Sequence, residues 1–433
     1  MVSLKKQALV LTIANAYTRI LGFVLRLMTA RLMGAQALGV MEMASSAVML
    51  AITPVTAGIP TAMSRLAAQR DANDQTVLRA GLSLVKRLTA WLMPGMLVGS
   101  PLIAWLLGDF RTLPSILTSL PLIGLLGLCA VYSGWFYGKG DAATPALSEC
   151  VEQSLRCLLA FLLLFTFSSS SVALMAALPN VAEVAAGFVV WWLFRQRGPR
   201  LIRQPSDQTI RREILRLTAP TTAARLCQTA LRALNAILLP VCLRRSGLSA
   251  EAATAQFGLL NGMAMPLLMV PGIVTGAICM IATPAVSRQE NHPALLQRTM
   301  RQLLWSAAGV GFFSMVGLFF GGEFISSPLY QEEALSPLLR LMAPAAFLLA
   351  IQQVQFGLIT GLGVQNKALT GTVLASVLSL LITALLCQMP GVRLYGAAIA
   401  TLAGTLLRVI WNAVVLHISH PQGTRLSSCR TEA

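Results

Sequence analysis

Two arginine-bearing stretches carry the side chains whose types and spacing could do chemistry. The first contains Asn15, Arg19, Gly22 and Arg26, at steps of four, three and four residues. The members of the second are Thr221, Arg225, Gln228, Arg232 and Asn235. In an α-helix this spacing places all members of one stretch on the same face. Each stretch therefore predicts a helix with a polar stripe that carries two arginines.

The predicted chemistry of these stripes is anion binding. Arginine keeps its proton, and its planar guanidinium fits phosphate or carboxylate oxygens. An arginine at mid-membrane costs about 2.5–3.5 kcal/mol, so we expect the stripes to face a wet cavity or paired acids. The predicted substrate-binding residues are Arg19, Arg26, Arg225, Arg232, Asn15, Gln228 and Asn235. A structural alternative is that Arg26 and Arg225 reach from helix ends to water.

Acidic residues inside apolar runs are the candidates for binding a coupling proton or cation. Glu149, Glu152 and Arg156 stand at i, i+3 and i+7, on one predicted helical face. Glu42 and Glu183 lie in two other apolar runs. Ionisable residues within a membrane usually have a function, and these five form the predicted ion-coupling set. A structural alternative is that Glu152 and Arg156 are an internal ion pair.

The elements that position these residues repeat along the chain. At a shift of 223 positions, Gly134, Gly138 and Gly140 recur as Gly357, Gly361 and Gly363, and Ser64-Arg65 recurs as Ser287-Arg288. Such a repeat is typical of a transporter built from two related bundles. The arginine stripes correspond at a shift of 206, and the difference of 17 predicts a longer connection after the seventh helix.

The composition predicts an integral membrane protein. The chain has 433 residues, of which 56% are hydrophobic and only 11% are charged, whereas soluble domains are about a quarter charged. The apolar runs fall near 8–32, 38–63, 88–108, 116–138, 144–167, 171–194, 214–242, 255–286, 303–322, 336–362, 367–388 and 395–417. The predicted fold class is therefore all-α and polytopic, with about twelve transmembrane helices in two parallel six-helix bundles.

The predicted domains are an N-terminal six-helix bundle over 1–200, a C-terminal one over 201–420 and a cytoplasmic tail over 421–433. The net charge of +17 does not indicate nucleic-acid binding, because the basic residues lie in short loops between apolar runs. Their excess in alternate loops predicts that both termini are cytoplasmic. Lys5 and Lys6 precede a long apolar run without a small-residue cleavage site, so we expect a first transmembrane helix there, not a removed signal peptide.

The sequence contains none of the common motifs for catalysis or metal binding that we considered. The eight cysteines are scattered and form no CxxC sequence, which argues against a zinc site or a disulfide framework. No nucleophile elbow, Walker sequence or HExxH sequence occurs. We therefore expect no catalytic residues, no metal and no cofactor.

Several ordered segments carry a resemblance to a known family. They are residues 18–23, 30–34, 57–65, 134–140, 144–156, 219–220, 247–254 and 284–287, which include Thr18-Arg19-Ile20-Leu21-Gly22-Phe23 and Gly134-Trp135-Phe136-Tyr137-Gly138-Lys139-Gly140. With them the chain resembles the stage V sporulation protein B or polysaccharide biosynthesis (oligosaccharide flippase) family. That family belongs to the multidrug/oligosaccharidyl-lipid/polysaccharide exporter superfamily.

The resemblance implies a flippase in the cytoplasmic membrane. Its cargo would be an undecaprenyl-diphosphate-linked sugar, a peptidoglycan precursor or another envelope oligosaccharide, moved to the outer leaflet by alternating access. Arg19 matches the family's helix-one arginine, which looks like a contact for the cargo diphosphate. The implied partners are this lipid-linked sugar, the bilayer and cell-wall synthesis enzymes; no nucleic acid and no oligomer is implied. Longer relatives carry two further C-terminal helices.

Two positions depart from the family pattern. Ser133 stands where relatives tend to have Arg, and Asn235 where many have Asp. If those groups bind cargo or ions, coupling in this protein differs from that in its relatives.

Three alternatives remain open. A multidrug or cation antiporter of the same fold would need acids in its cavity, whereas the stripes are rich in arginine. A membrane enzyme that acts on polyprenyl phosphates would need a clustered acid/base or metal-binding set. A non-transporting scaffold for cell-wall enzymes would have its arginines paired or turned to lipid.

Overall fold

The computed structural model describes residues 4–69, 75–199, 207–289 and 293–418. Within these ranges the regular structure is helical and no strand occurs, which confirms the predicted all-α class. The predicted tail over 421–433 lies outside the described residues.

Fourteen α-helices are assigned in the described ranges. The first eight are α1 (Leu4–Thr56), α2 (Ile59–Ala68), α3 (Thr76–Leu107), α4 (Thr112–Gly138), α5 (Ala143–Thr166), α6 (Val172–Arg197), α7 (Gln208–Arg245) and α8 (Ala250–Gly258). A π-helical turn over Leu259–Ala264 follows, and then α9 (Met265–Leu268), α10 (Gly272–Arg288) and α11 (Pro293–Ile325). After a second π-helical turn over Ser326–Tyr330 come α12 (Leu335–Gly361), α13 (Gln365–Leu386) and α14 (Arg393–Ile418).

Helix α1 combines the first two predicted spans, and Gly34 separates them. Gly34 has φ 70° and ψ 170°, a left-handed conformation that only glycine adopts at low cost. It divides α1 into residues 4–33, called the first segment below, and residues 35–56, called the second segment. The break falls in the gap predicted between the runs 8–32 and 38–63.

The helices have the lengths and apolarity of membrane spans. In the described part of the chain, nine helical stretches qualify by themselves, and Ala250–Leu268 with Gly272–Cys279 forms a tenth. One of the nine, Val10–Ala68, contains both segments of α1. Helix α5 does not qualify, since it carries Glu149, Glu152 and Arg156. Counting the two segments of α1 separately adds an eleventh span to these ten, and α5 adds a twelfth. All twelve predicted spans are therefore present, and the chain is a multi-pass membrane protein.

The chain divides into two compact units, Met1–Met263 and Ala264–Ala433. The first unit contains α1 to α8, so that both arginine-bearing helices, α1 and α7, belong to it. The predicted bundle boundary at residue 200 stays a prediction.

Helices α1 and α4 organise the first unit. α1 contacts α4, α5, α6, α7 and α8, while α4 also packs on α2, α3 and α6. A core lies where α2, α3, α4, α6 and the start of α7 meet, and its members include Met63, Leu78, Val131, Phe194 and Ile214. Each of these five side chains is at most 2% exposed.

In the second unit α12 is the central helix. It contacts α10, α11, α13 and α14. Val354, Leu358 and Ile359 of α12 are fully buried with Ala282 of α10 and Ala307 of α11.

The predicted repeat has an equivalent in the packing of both units. A Cβ atom at Gly134 or Gly138 of α4 would lie 2.5 Å from a carbonyl oxygen of α2. At Gly361 of α12, it would lie 2.7 Å from the Thr283 carbonyl oxygen of α10. Gly140 and Gly363, which follow these helices, both have positive φ, 78° and 70°. The shared glycines therefore have the same roles in each unit, close helix approach and a turn with positive φ. This equivalence supports an internal duplication.

Close approach holds for only some of the GxxxG sequences. Gly258 and Gly262 of the α8 region pack against Ala35, Leu38 and Gly39 of α1, with the Gly258 and Gly39 backbones in direct contact. At Gly95 and Gly317 an added Cβ would meet nothing within 4 Å. GxxxG permits close packing, but a partner helix must be present to use it.

The replacement Gly134→Ala should lower stability by about 1–3 kcal/mol, because the new methyl group overlaps backbone atoms that cannot move aside. The added Cβ lies 2.5 Å from the Pro60 carbonyl oxygen and 2.7 Å from its Cα. Thermal unfolding of the purified protein in detergent measures the change. Gly95→Ala is the matched control, and an equal effect of both replacements would contradict the packing described for α4 and α2.

Candidate functional site

The first segment of α1 lies along α5. The Tyr17 hydroxyl is hydrogen-bonded to the Ser154 hydroxyl at 2.8 Å. A Cβ at Gly22 would stand 3.4 Å from the Gln153 side-chain nitrogen, so the glycine of the stripe leaves room for this amide. Arg19 is exposed and Asn15 is half-buried. Gly22 of the predicted stripe therefore faces α5.

Arg26 of the same stripe forms an ion pair with Glu42 of the second segment. Arg26 Nη1 lies 3.1 Å from Glu42 Oε1. In one straight helix, sixteen residues would separate these positions by about 24 Å, so the pair requires the second segment to fold back beside the first. The side chain of Arg26 is 51% exposed, whereas that of Glu42 is only 19% exposed. A predicted anion-binding residue is therefore joined to a predicted ion-coupling residue.

Arg156 of α5 pairs with Glu183 of α6. Arg156 Nη2 lies 3.0 Å from Glu183 Oε2. The structural alternative, an ion pair between Glu152 and Arg156, is not formed within the described residues, because α6 brings the Glu183 carboxylate closer to the guanidinium. Glu152 still interacts electrostatically with both Arg156 and Glu183.

These groups form one charged cluster. Arg156 also interacts electrostatically with Glu42, which connects the two ion pairs. Two guanidinium groups, Arg26 and Arg156, then face three carboxyl groups, Glu42, Glu152 and Glu183. In the described part of the chain, Glu152 forms no hydrogen bond or ion pair, and the buried Nε of Arg156 has no hydrogen-bond partner. The structure brings together four of the five predicted ion-coupling residues.

Glu149 stands at the edge of this cluster. It is exposed, near the start of α5, and its electrostatic effect reaches Glu152. Glu149 therefore lies beside the two ion pairs and is not a member of either.

The arginine stripe of α7 lies against the second segment of α1. The Thr229 hydroxyl is 3.2 Å from that of Thr53. Thr229 stands four residues after Arg225 and three before Arg232, on the same helical face. Both arginines are exposed, and neither makes an ion pair within the described ranges. Gln228 and Asn235 are half-buried.

The second segment of α1 is thus the common neighbour of the predicted functional groups. Glu42 on it bonds Arg26 of the first segment, and Thr53 bonds Thr229 of α7. Residues 42, 46, 49, 53 and 56 follow each other at steps of four and three, so one face of this segment runs from the acidic cluster to the α7 arginines.

A second polar centre, around the turn that joins α3 to α4, was missed from the sequence. Asp109 follows α3 and is 7% exposed. It accepts hydrogen bonds from Arg111 Nη2 at 2.7 Å and from the Thr254 hydroxyl of α8 at 3.0 Å. Arg244 at the end of α7 donates to the Gly108 carbonyl at 3.1 Å. The centre joins the α3–α4 turn to α7 and α8, and only the Asp-x-Arg spacing after Gly108 hints at it in the sequence.

The electrostatics of this centre follow from its contacts. Burial acts to raise the pKa of Asp109, but the hydrogen bonds and charge of Arg111 and the Thr254 hydroxyl outweigh burial and lower it below 3.8. Arg111 also reaches Glu251, at 3.4 Å, but that carboxylate is 72% exposed. Asp109 is therefore the anion on which this centre depends.

Residues with metal-binding side chains do not gather in the described ranges: no group of three or more His, Cys, Asp or Glu residues could hold a metal ion there.

Comparisons with known proteins agree with this architecture. Residues 4–290 match the model of a family described as "Polysaccharide biosynthesis protein". Stage V sporulation protein B of Bacillus subtilis (strain 168) is 27% identical over 433 residues, with 95% of this chain and 83% of the relative covered.

Solved transporter structures share the fold. A multidrug resistance MATE family transporter of the MOP superfamily, in an inward-facing conformation, has a TM-score of 0.74 at 16% identity, covering 93% of this chain and 95% of that one. The lipid II flippase MurJ, in an inward closed conformation, has a TM-score of 0.71 at 14% identity, covering 93% and 87%. At these identities the similarity shows the fold alone.

The replacement Asp109→Asn should lower stability by about 1–3 kcal/mol at neutral pH, because the partly buried donors of Arg111 lose their anion. The pKa of Asp109 is lower in the folded state than the unfolded value of 3.8. The stabilisation is therefore complete above that pH and is lost as the pH falls through the folded-state pKa. Thermal unfolding of wild type and variant across this pH range measures it.

Glu251→Gln is the matched control, since it removes the exposed carboxylate that faces the same guanidinium. Its effect should not exceed about 1 kcal/mol. A difference between wild type and Asp109→Asn that persists unchanged at acidic pH would refute the role given to the Asp109 anion.

Proposed function

This chain belongs to the polysaccharide biosynthesis protein family, and from that premise we propose that it is a flippase for a lipid-linked sugar. The cargo carries a diphosphate between an undecaprenyl-type chain and its sugar. The protein moves it from the cytoplasmic to the outer leaflet of the cytoplasmic membrane by alternating access. The bilayer and cell-wall synthesis enzymes are its partners, and both termini are cytoplasmic.

The observation that carries this proposal is the pair of arginine faces within the first unit. Arg19 and Arg26 of α1 and Arg225 and Arg232 of α7 are all exposed along apolar helices. The α7 face reaches α1 through Thr229 and Thr53. A permanent cation inside a membrane is expensive without an anion, and the guanidinium fork matches phosphate oxygens. Arg225 and Arg232 make no ion pair within the described ranges, and a diphosphate supplies the negative charge that these two arginines require.

Coupling follows from the two competing partners of Arg26. Glu42 already occupies its guanidinium, at 3.1 Å, and the cargo diphosphate requires the same donors. A proton or cation on Glu42 releases Arg26 for the cargo, while cargo binding favours cation uptake at Glu42. Two ligands that affect each other's affinity in this way are thermodynamically linked, and the linkage is reciprocal. Arg156, Glu152 and Glu183 extend this linkage into α5 and α6.

A multidrug or cation antiporter is the second candidate. The charged cluster favours it, because three carboxyl groups face two guanidinium groups there, and an organic cation would balance the excess. The fold shared with the MATE family transporter is compatible with this reading. The arginines of α7 favour the flippase, since they would repel a cationic drug.

Replacing Arg19 or Arg232 by Gln should lower translocation of a fluorescent lipid-linked oligosaccharide by at least about tenfold, the loss of one charge-assisted hydrogen bond to the diphosphate. The assay uses purified protein in proteoliposomes and measures the access of a membrane-impermeant quencher. Arg31→Gln is the matched control: Arg31 is exposed on the same segment but lies off the stripe.

Transport of the oligosaccharide by both variants at the wild-type rate would remove the arginine faces from the mechanism. Transport of an organic cation with no transport of the oligosaccharide by the wild type would instead establish the antiporter.

The competition for Arg26 has its own test. Glu42→Gln should tighten the binding of a short polyprenyl diphosphate by up to about fivefold, because it frees the guanidinium from an ion pair of that strength. It should also remove most of the pH dependence of binding. Titration calorimetry at several pH values measures both quantities.

Glu149→Gln is the control for this experiment, since Glu149 is exposed near the start of α5 and forms no ion pair with Arg26 within the described ranges, so its replacement should leave affinity unchanged. If Arg26→Gln weakens binding but Glu42→Gln changes nothing, the two anions do not compete and the proposed coupling is wrong.

A further inference from the structure

The second unit contains a groove unrelated to the arginine faces. Helices α11, α12 and α14 line an open groove with a volume of about 690 Å³. Such a volume lies within the range of about 300–1,000 Å³ that holds one small ligand.

The lining of this groove is amphipathic. Most of its surface is apolar, with Leu304, Trp305, Phe347 and Ile351 among the contributors. The polar residues are Gln297, Arg301, Gln355 and His417. None of the described residues that line it is acidic, and Arg301 carries the one full charge among them, which is positive. The groove therefore favours an amphiphile with an anionic group.

The polar residues lie at one end of the groove. Arg301 stands eight residues after the start of α11, and Gln355 stands six before the end of the adjoining α12, which are distances of about 12 Å and 9 Å along the helices. His417 is one residue before the end of α14. Phe347 and Ile351 continue from Gln355 toward the middle of α12. This order matches a headgroup at the helix ends and a chain along the apolar walls.

Gln355 provides a second, independent sign of a ligand. Its side chain is only 3% exposed, and its Nε2 donates to the Val409 carbonyl at 3.1 Å. Its Oε1 is buried and has no hydrogen-bond partner, although it belongs to a residue that lines the groove. Buried acceptors are almost always satisfied in folded proteins. A hydrogen-bond donor placed in the groove would satisfy this one.

We propose that this groove binds an anionic phospholipid whose headgroup carries hydroxyl donors, of the phosphatidylglycerol class. Its phosphate binds Arg301, a headgroup hydroxyl donates to Gln355 Oε1, and an acyl chain lies on Trp305, Phe347 and Ile351. The occupant is a membrane lipid, not the transported cargo. The site is therefore independent of the proposed flippase activity.

Native mass spectrometry of the full-length protein, released from nanodiscs, tests this proposal. Phosphatidylglycerol should stay bound preferentially over phosphatidylcholine, which has a similar chain region but no hydroxyl donor and no net charge. Arg301→Gln should weaken phosphatidylglycerol binding by about tenfold, the loss of one charge-assisted hydrogen bond. Ala413→Phe should also weaken it, because the new ring fills the groove without removing any hydrogen bond.

Arg298→Gln is the matched control, since Arg298 is exposed on the same helix but does not line the groove. Equal retention of the two phospholipids, or equal effects of Arg298→Gln and Arg301→Gln, would overturn the proposal. Displacement of the bound phospholipid by a short polyprenyl diphosphate would also overturn it, because the groove would then belong to the cargo. Loss of oligosaccharide transport in Arg19→Gln, with phospholipid binding intact, separates this site from the flippase mechanism.

Discussion

A guanidinium group keeps its positive charge wherever the chain places it, and this constraint governs the first unit. Arg26 and Arg156 both lie on membrane-spanning helices, and each has an acidic partner within 3.1 Å. The partners come from other segments: Glu42 from beyond the break at Gly34, and Glu183 from α6. The folding-back of α1 and the pairing of α5 with α6 therefore serve the same electrostatic requirement. Under the proposed function, the cargo supplies the anionic partner for the exposed arginines of α7.

Close helix packing makes these electrostatics possible. Lipid tails are as apolar as leucine side chains, so helices in a membrane associate through contact at small residues and not through burial from water. Gly134 and Gly138 bring α4 onto α2, and Gly39 and Gly258 bring α8 onto α1. The contact of Gly39 with Gly258 holds the same α1 that carries Arg26 and Glu42. The second unit repeats the device at Gly357 and Gly361, but without the acids, since Glu42 and Glu183 correspond to Met265 and Leu406. Duplication has preserved the packing glycines but not these two acids.

Much of the fold could be predicted from the sequence because its signals are local. Apolar runs of membrane length predicted all twelve spans, although α5 is interrupted by its own charges. The sequence showed Gly140 and Gly363 only as members of the repeat, and the structure shows that both adopt positive φ. The GxxxG sequences were less informative: Gly95 and Gly317 have the spacing but no neighbour within 4 Å of an added Cβ. Spacing describes one helix, whereas close approach is a property of two.

The sequence by itself determined which residues share a helical face, and hence the stripes of α1 and α7, because each residue turns an α-helix by a constant angle. Only the tertiary structure decided which charges meet. Glu152 is nearer to Arg156 along the chain, but Glu183 is its partner. Asp109 binds Thr254, 145 residues away, and Thr229 places the α7 stripe beside Thr53, 176 residues away. These pairings depend on the rotation and approach of whole helices, which the packing of many side chains sets together and no local pattern records.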